Sequence, residues 1–282
     1  MTDRIAALVN GETLDVLPVS DRGLLYGDGV FETIAIREGR PEHWPRHMTR
    51  LQAGCARLGL PPPDSARLAT EAGAVIDQID KGVLKLIITR GTGGRGYRVP
   101  KAAACTRIVQ VHPWPDYPAA CAEQGVKTRL CATRLGRNPA LAGIKHLNRL
   151  EQVLARQEWN DADIHEGLVT DTDGNLVEGT MSNVFIVDDG ALLTPDLSHA
   201  GVAGIMRTII LEQAERLGLR VRIAHIDTQT LLQAGEVFLS NSLIGIWPVV
   251  AIDGTSCRIG NITLQLQELL HDSSDLDAGW RE

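Results

Sequence analysis

The feature that most restricts how this chain folds is the segment His112-Pro-Trp-Pro-Asp-Tyr-Pro118. Three prolines fix φ and remove backbone donors, and no hydrophobic period runs through them. Neither a helix nor a central strand can continue across it. A chain of 282 residues interrupted there is long enough for two modest domains. The expected division is a small N-terminal domain over 1–112, a linker over 113–125 and a larger domain over 126–282.

On the N-terminal side, Ile5 to Val9, the Asn10-Gly11 dipeptide and Thr13 to Leu17 predict a hairpin. Ser20 to Gly29, rich in glycine and aspartate, predicts irregular chain. It leads into a strand over Val30 to Arg37, with Phe31, Thr33 and Ala35 on one face and Val30, Glu32, Ile34 and Ile36 on the other. A helix over about 47–58 buries Met48, Leu51, Cys55 and Leu58, which leaves Arg46, Arg50 and Arg57 to a solvated face. His43 and His47 have the spacing of a helical metal pair, but Trp44-Pro45 is expected to break the helix between them. After Pro61-Pro-Pro63 come a second helix over 65–79 and strands over 83–89 and 107–111.

The loop between those strands is Arg90-Gly-Thr-Gly-Gly-Arg-Gly-Tyr97. It matches G-x-G-x-x-G, yet Tyr97-Arg-Val-Pro100 excludes the helix that a dinucleotide site requires. What remains is a glycine loop that carries Arg95, Tyr97 and Arg98.

Beyond the prolines, a strand over 126–133 leads to Ala140-Leu-Ala-Gly-Ile-Lys145-His-Leu-Asn-Arg149. Leu147, Leu150, Val153, Leu154 and Gln157 predict a helix that begins just past Lys145 and buries a leucine face. A desolvated lysine at such a boundary is a nucleophile able to form a Schiff base. A lysine that snorkels from a helix start has the same local signature. Further on, strands over 166–171 and 176–187 flank a Thr172-Asp-Gly174 turn. Glu178 inside the second must point outward or find a cationic partner. Gly201 and Gly204 precede a helix over 205–217 whose core side is Ile205, Ile209, Ala214 and Leu217. Its first N–H groups can hold a phosphate, or the glycines form a plain loop-to-helix join. Strands over 221–226, 236–240 and 246–252 follow, with a short helix at 228–234, and Ser240-Asn-Ser242 offers further polar groups. The C-terminal 273–282 are expected to fray.

Composition sets the outer bounds. Hydrophobic content of 44% against 22% charged residues describes a soluble globular protein. A formal charge of −7 without a basic cluster argues against nucleic acid and anionic membranes as partners. Cysteines at 55, 105, 121, 131 and 257 form no Cys-x-x-Cys pair, which suits a reducing cytoplasm and disfavours a disulfide framework or zinc. No apolar run reads as a signal peptide or spans a bilayer. Together, a Schiff-base lysine, a buried acid and a helix N-terminus are the parts of a pyridoxal 5′-phosphate (PLP) site. A noncatalytic module that binds PLP or a small anion is the reading from another class, and it has no need of the acid.

The strings Asp21-Arg-Gly, Tyr26-Gly-Asp-Gly-Val-Phe-Glu-Thr33, His47-x-x-Arg50-Leu51, Lys145-His-Leu-Asn, Glu178-Gly-x-x-Ser-Asn-Val-Phe185 and Gly204-Ile-Met-Arg207 resemble the fold-type IV PLP enzymes. These comprise branched-chain and D-amino-acid transaminases and aminodeoxychorismate lyases. The resemblance runs from about Asn10 to Val250 and implies an α+β fold: a small N-terminal α/β domain and a larger domain on an antiparallel barrel-like sheet. It implies Lys145 as Schiff-base lysine and base, and Glu178 as partner of the pyridine nitrogen. Arg50, the N–H groups of Ile205 and Met206, Ser242 and Asn241 are implied to hold the cofactor.

The glycine loop, Thr33 and Lys145-His-Leu-Asn-Arg-Leu-Glu-Gln152 look like the lyase branch rather than the transaminases. The implied reaction takes 4-amino-4-deoxychorismate to 4-aminobenzoate and pyruvate, a step of folate synthesis. Thr33 is implied to position a proton, and Tyr26, Phe31, Arg95, Tyr97 and Arg98 to contact substrate. A homodimer is implied, with Tyr26 reaching toward the partner's site, and no metal is expected.

Overall fold

The computed structural model describes residues 6–13, 16–100, 104–272 and 280. The chain divides into two compact units. The first takes in Met1–Pro115 and also Ile144–Asn148, together with Trp280. The second takes in Asp116–Gly143 and Arg149–Asp275. The expected 1–112, 113–125 and 126–282 differ from this in one important respect, because the segment that holds Lys145 belongs to the first unit.

In chain order the first unit contains β1 (Ala6–Val9), α1 (Arg22–Tyr26), β2 (Gly29–Arg37), β3 (Arg40–Pro41), α2 (Trp44–Arg57), α3 (Ser65–Ile76), β4 (Gly82–Thr89) and β5 (Thr106–His112). Its strands form one sheet in the order β1-β5-β4-β2-β3, every pair antiparallel. Ile34, Ile36, Leu84, Leu86 and Ile88 face Leu51, Leu68 and Ala72 of the helices in its core.

Three expectations change here. Asn10 and Gly11 do turn the chain with positive φ, but 16–18 are not strand and β1 pairs with β5 instead. The rest of the expected second arm, Leu14 and Asp15, lies outside the described residues, as does Ile5. Asp21 converts part of the glycine-rich stretch into α1, because its carboxylate accepts the Gly23 N–H at 2.8 Å as an N-cap. Trp44-Pro45 opens α2 rather than breaking it, since proline's missing N–H is harmless in a first helical turn.

The second unit contains α4 (Ala120–Glu123), β6 (Val126–Leu135), α5 (Leu150–Arg156), β7 (Ile164–Asp171), β8 (Leu176–Gly179), β9 (Asn183–Asp188), β10 (Ala191–Pro195), α6 (Ile205–Arg216), β11 (Arg220–Ala224), α7 (Thr228–Gln233), β12 (Glu236–Asn241), β13 (Gly245–Ile252), β14 (Thr255–Ser256) and α8 (Asn261–Asp272). The sheet runs β11-β10-β9-β12-β13-β6-β7-β8, with β14 on β13. It is mixed rather than wholly antiparallel, since β10/β11, β13/β6 and β6/β7 are parallel. Phe185 and Phe238 stack at 4.9 Å in its core. The fold class is α+β, as the resemblance implied.

The single strand expected over 176–187 is broken at Thr180–Ser182. Buried Glu166 causes the break. Its carboxylate accepts from the hydroxyls of Thr180 and Ser182 and from the N–H groups of Thr180 and Met181, and it draws those two backbone donors out of a continuous ladder. Leu217, expected in the core of α6, is 41% exposed at the helix end. No helix among the described residues is long and apolar enough to cross a membrane.

Candidate active site

Lys145 lies on an extended segment, not at a helix start. The Phe31 N–H donates to the Lys145 carbonyl at 2.9 Å and the Leu147 N–H to the Gly29 carbonyl at 3.0 Å, so 145–147 lies along the start of β2. Gly29 permits this approach, because a Cβ there would fall 2.4 Å from the Ile88 oxygen and 2.8 Å from Leu147. The Lys145 Nζ sits 4.5 Å from the centroid of the Phe31 ring. Thr33 shares that face two residues along.

Sequence reasoning missed Lys85, the cross-strand partner of Thr33, whose Nζ lies 5.6 Å from the same ring. The alternation of β4 was the available signal. The helix predicted just past Lys145 begins only at Leu150. Its expected buried face is open, with Leu150, Val153 and Leu154 at 70%, 48% and 48% exposure.

Arg50 leaves the solvated face that periodicity assigned it. Its Nε donates to Glu32 Oε1 at 2.8 Å and its Nη2 to Oε2 at 2.5 Å, a two-point ion pair joining α2 to β2. His47 Nδ1 lies 2.6 Å from the same carboxylate, and its Nε2 is buried with no partner. Burial pushes the Glu32 pKa up, but the charges of Arg50 and His47 outweigh it and hold the carboxyl at about 2. Burial lowers the His47 pKa, while the charge of Glu32 and its hydrogen bond act against that. Glu32 and His47 were not foreseen, although the glutamate's place on the apolar face of β2 was the clue.

Tyr26 packs on its own chain's glycine loop. The Gly96 N–H donates to its hydroxyl at 3.3 Å and its ring lies 5.4 Å from that of Tyr97. Tyr97 is 84% exposed, and Arg95 and Arg98 are exposed beside it. The loop runs on without a helix to Pro100, and 101–103 lie outside the described residues.

In the second unit, Glu178 is buried near the end of β8. Its Oε2 accepts the Val202 N–H at 2.8 Å and its Oε1 the Gln152 amide at 3.4 Å. Of the two alternatives the sequence left open, Glu178 takes the second, with Arg149 as its cationic neighbour. Burial draws the Arg149 pKa down while the charge of Glu178 acts against that. Asn183 Nδ2 holds the Val202 carbonyl at 2.9 Å, and a Cβ on Gly204 would fall 2.0 Å from Asn183 Oδ1. These contacts fix the loop that enters α6.

Gly204 is the N-cap of α6 and gives no side-chain cap, so the buried first turn at Ile205 and Met206 has the form that suits a phosphate. Asn241 is largely taken up by its own turn. Its Oδ1 accepts from the Leu243 and Ile244 N–H groups at 2.8 and 3.0 Å, and its Nδ2 donates to the Met181 carbonyl. Ser242 is half-exposed next to it, and the Ser240 Oγ is buried without a partner.

Two units of this topology, one presenting a lysine against an aromatic ring and the other a buried acid with a glycine-capped helix, are those of the amino-transferase class IV enzymes. The family model of that name matches residues 29–252, and the chain belongs to the family. Over 263 residues, 92% of this chain and 97% of the relative, it is 36% identical to the aminodeoxychorismate lyase of Vibrio harveyi. The crystal structure of 4-amino-4-deoxychorismate lyase from Pseudomonas aeruginosa matches with a TM-score of 0.91 and 49% identity, covering 96% of this chain and 99% of that one. A hypothetical aminotransferase from Mycobacterium tuberculosis in its PLP-bound form matches with a TM-score of 0.82 and 25% identity, over 97% and 99% of the two chains.

Proposed function

We propose that the chain is a PLP-dependent 4-amino-4-deoxychorismate lyase that releases pyruvate and 4-aminobenzoate and so serves folate synthesis. The observation that carries this reading is the placement of the Lys145 Nζ 4.5 Å from the Phe31 ring, on the face of β2 that also bears Thr33. The relatives named as this lyase support it.

The uncapped start of α6 and the buried Glu178 fit the cofactor's two ends. Ile205 and Met206 N–H groups, Ser242, Asn241 and Arg50 would hold its phosphate, and Glu178 would be the partner of its pyridine nitrogen. When bound, PLP supplies an electron sink for the C–H bond beside the substrate nitrogen. With the cofactor in place, Lys145 would serve as the base that takes the proton from that carbon. The C–O bond to the enolpyruvyl group would break as the ring becomes aromatic, and the proton taken by Lys145 would pass to the departing group, positioned by the Thr33 hydroxyl. Phe31 and Tyr26 bound the substrate's path, and Arg95, Tyr97 and Arg98 meet its carboxylates. The enzyme works as a cytoplasmic homodimer, and the exposed Leu150, Val153 and Leu154 of α5 supply apolar surface for a second copy.

Assay of the PLP-loaded enzyme with aminodeoxychorismate tests the reading. Rapid 4-aminobenzoate release, with at most slow half-transamination of alanine or leucine, is the expected result. Fast amino transfer to 2-oxoglutarate without 4-aminobenzoate makes it a transaminase of the same family.

A further inference from the structure

The Asp21-Arg22-Gly23 string has no part in the chemistry above, yet Arg22 is buried at 4% exposure in a unit whose other arginines near substrate are open. Each of its three guanidinium nitrogens donates a hydrogen bond. Nε donates to Asp28 Oδ2 at 2.8 Å, Nη1 to the Gly96 carbonyl at 3.0 Å and Nη2 to the Tyr97 carbonyl at 3.3 Å.

Asp28 is itself fixed from the other side, because Arg90 Nε donates to the same oxygen at 2.7 Å. The two remaining nitrogens of Arg90 cap the end of α2 through the Leu58 and Gly59 carbonyls. Burial raises the Asp28 pKa, but hydrogen bonds from Arg90 and Arg22 and their charges bring it below the usual carboxylate range, so the anchor is ionised at neutral pH. The near end of the loop is held by the Thr89 hydroxyl, which accepts the Gly91 N–H at 2.9 Å, and by backbone bonds. The Arg22 N–H donates to Gly91 and the Gly93 N–H to Ser20, and a Cβ on Gly93 would fall 2.9 Å from the Arg22 stem. Among the described residues the far end is held by the Arg22 guanidinium, the weaker Gly96 contact to Tyr26 and the packing of the Tyr97 ring on Tyr26.

A loop with glycines at 91, 93, 94 and 96 is costly to order. We infer that Arg22 is a positioning residue: it ties the Gly96-Tyr97 carbonyls to Asp28 and so presents Arg95 and Arg98 to the substrate carboxylates in one fixed arrangement. The inference rests on the lyase reading, in which those arginines bind substrate. A lysine cannot replace Arg22, since one ammonium does not reach a carboxylate and two carbonyls in a planar fork.

The test uses PLP-loaded Arg22→Lys and Arg22→Ala with two readouts, steady-state kinetics and trypsin cleavage after Arg95 and Arg98. KM for aminodeoxychorismate is expected to rise roughly 10- to 100-fold with kcat and PLP absorbance little changed. Cleavage at both arginines is expected to accelerate, which a merely structural arginine elsewhere would not cause. If Arg22→Ala does not fold, Arg22→Lys, which keeps the charge opposite Asp28, carries the test alone. Parental cleavage and parental KM overturn the proposal. Faster cleavage with parental KM overturns it too, and Arg95→Ala then separates the causes. A raised KM in Arg95→Ala leaves the lyase reading standing and removes only the role of Arg22. A parental KM there means that the loop does not bind substrate.

Discussion

Lys145→Ala deletes an amine while leaving the backbone bonds that join 145–147 to β2. The variant is therefore expected to keep its fold and lose the visible absorbance of bound PLP, with circular dichroism and absorption spectra as the checks. Borohydride reduction and peptide mapping of the parent are expected to place the pyridoxyl group on Lys145. An adduct on Lys85, the other amine facing Phe31, would sink the assignment. Glu178→Gln preserves an acceptor for the Val202 N–H but no longer favours a protonated pyridine. Cofactor is expected to stay bound while turnover drops by about 10²-fold or more, and parental turnover would count against this role. Both residues were legible in the sequence as chemical types. Their settings were not, because Lys145 is fixed by residues 29–31 and Glu178 by Val202, contacts that no local period encodes.

At the level of elements, β2 and α2 are pinned together by Glu32, His47 and Arg50. The folded carboxyl of Glu32, held at about 2, lies below its unfolded value. Its contribution is thus fully present above pH 4.5 and is lost as pH falls from there toward 2, on the order of 3 kcal/mol in all. Urea unfolding across that range is expected to show the loss in the parent. Glu32→Gln, which leaves the Arg50 charge without its carboxylate, is expected to be less stable at pH 7 by about 3 kcal/mol. It should also show a flatter dependence below pH 4.5, and an identical slope in the two proteins would refute the pairing. Periodicity located β2 and α2 to within a few residues. It assigned Arg50 to solvent because a hydrophobic stripe records where oil goes and is silent about a buried carboxylate across the way. The same blindness joined β8 to β9, since Glu166 supplies its acceptors from another strand.

For the whole molecule, the exposed stripe on α5 gives the dimer proposal a handle. Sedimentation at micromolar concentration is expected to give twice the chain mass for the parent, and a shift toward the single-chain mass for Val153→Glu combined with Leu154→Glu. A double variant that sediments like the parent would exclude this face. The heptad-like spacing of those leucines was visible in the sequence, but a period cannot say whether the covering surface comes from the same chain. The first unit gives way to the second after Pro115, within the proline segment. That segment could not reveal that five residues, Ile144–Asn148, return to the first.

That return makes the two units inseparable as gene fragments. The chain passes from the first unit to the second after Pro115, goes back at Ile144 and leaves again after Asn148. A polypeptide ending at the prolines would lack the segment that covers the start of β2, and one beginning there would carry the reactive amine with no strand to lie on. The pairing of Phe31 with Lys145 also closes a loop of more than a hundred residues, so by loop-closure entropy it is among the slower contacts to form. The amine is therefore expected to reach its working position late in folding. Regain of cofactor absorbance during refolding is expected to trail the regain of circular dichroism, and simultaneous recovery of the two would refute this order.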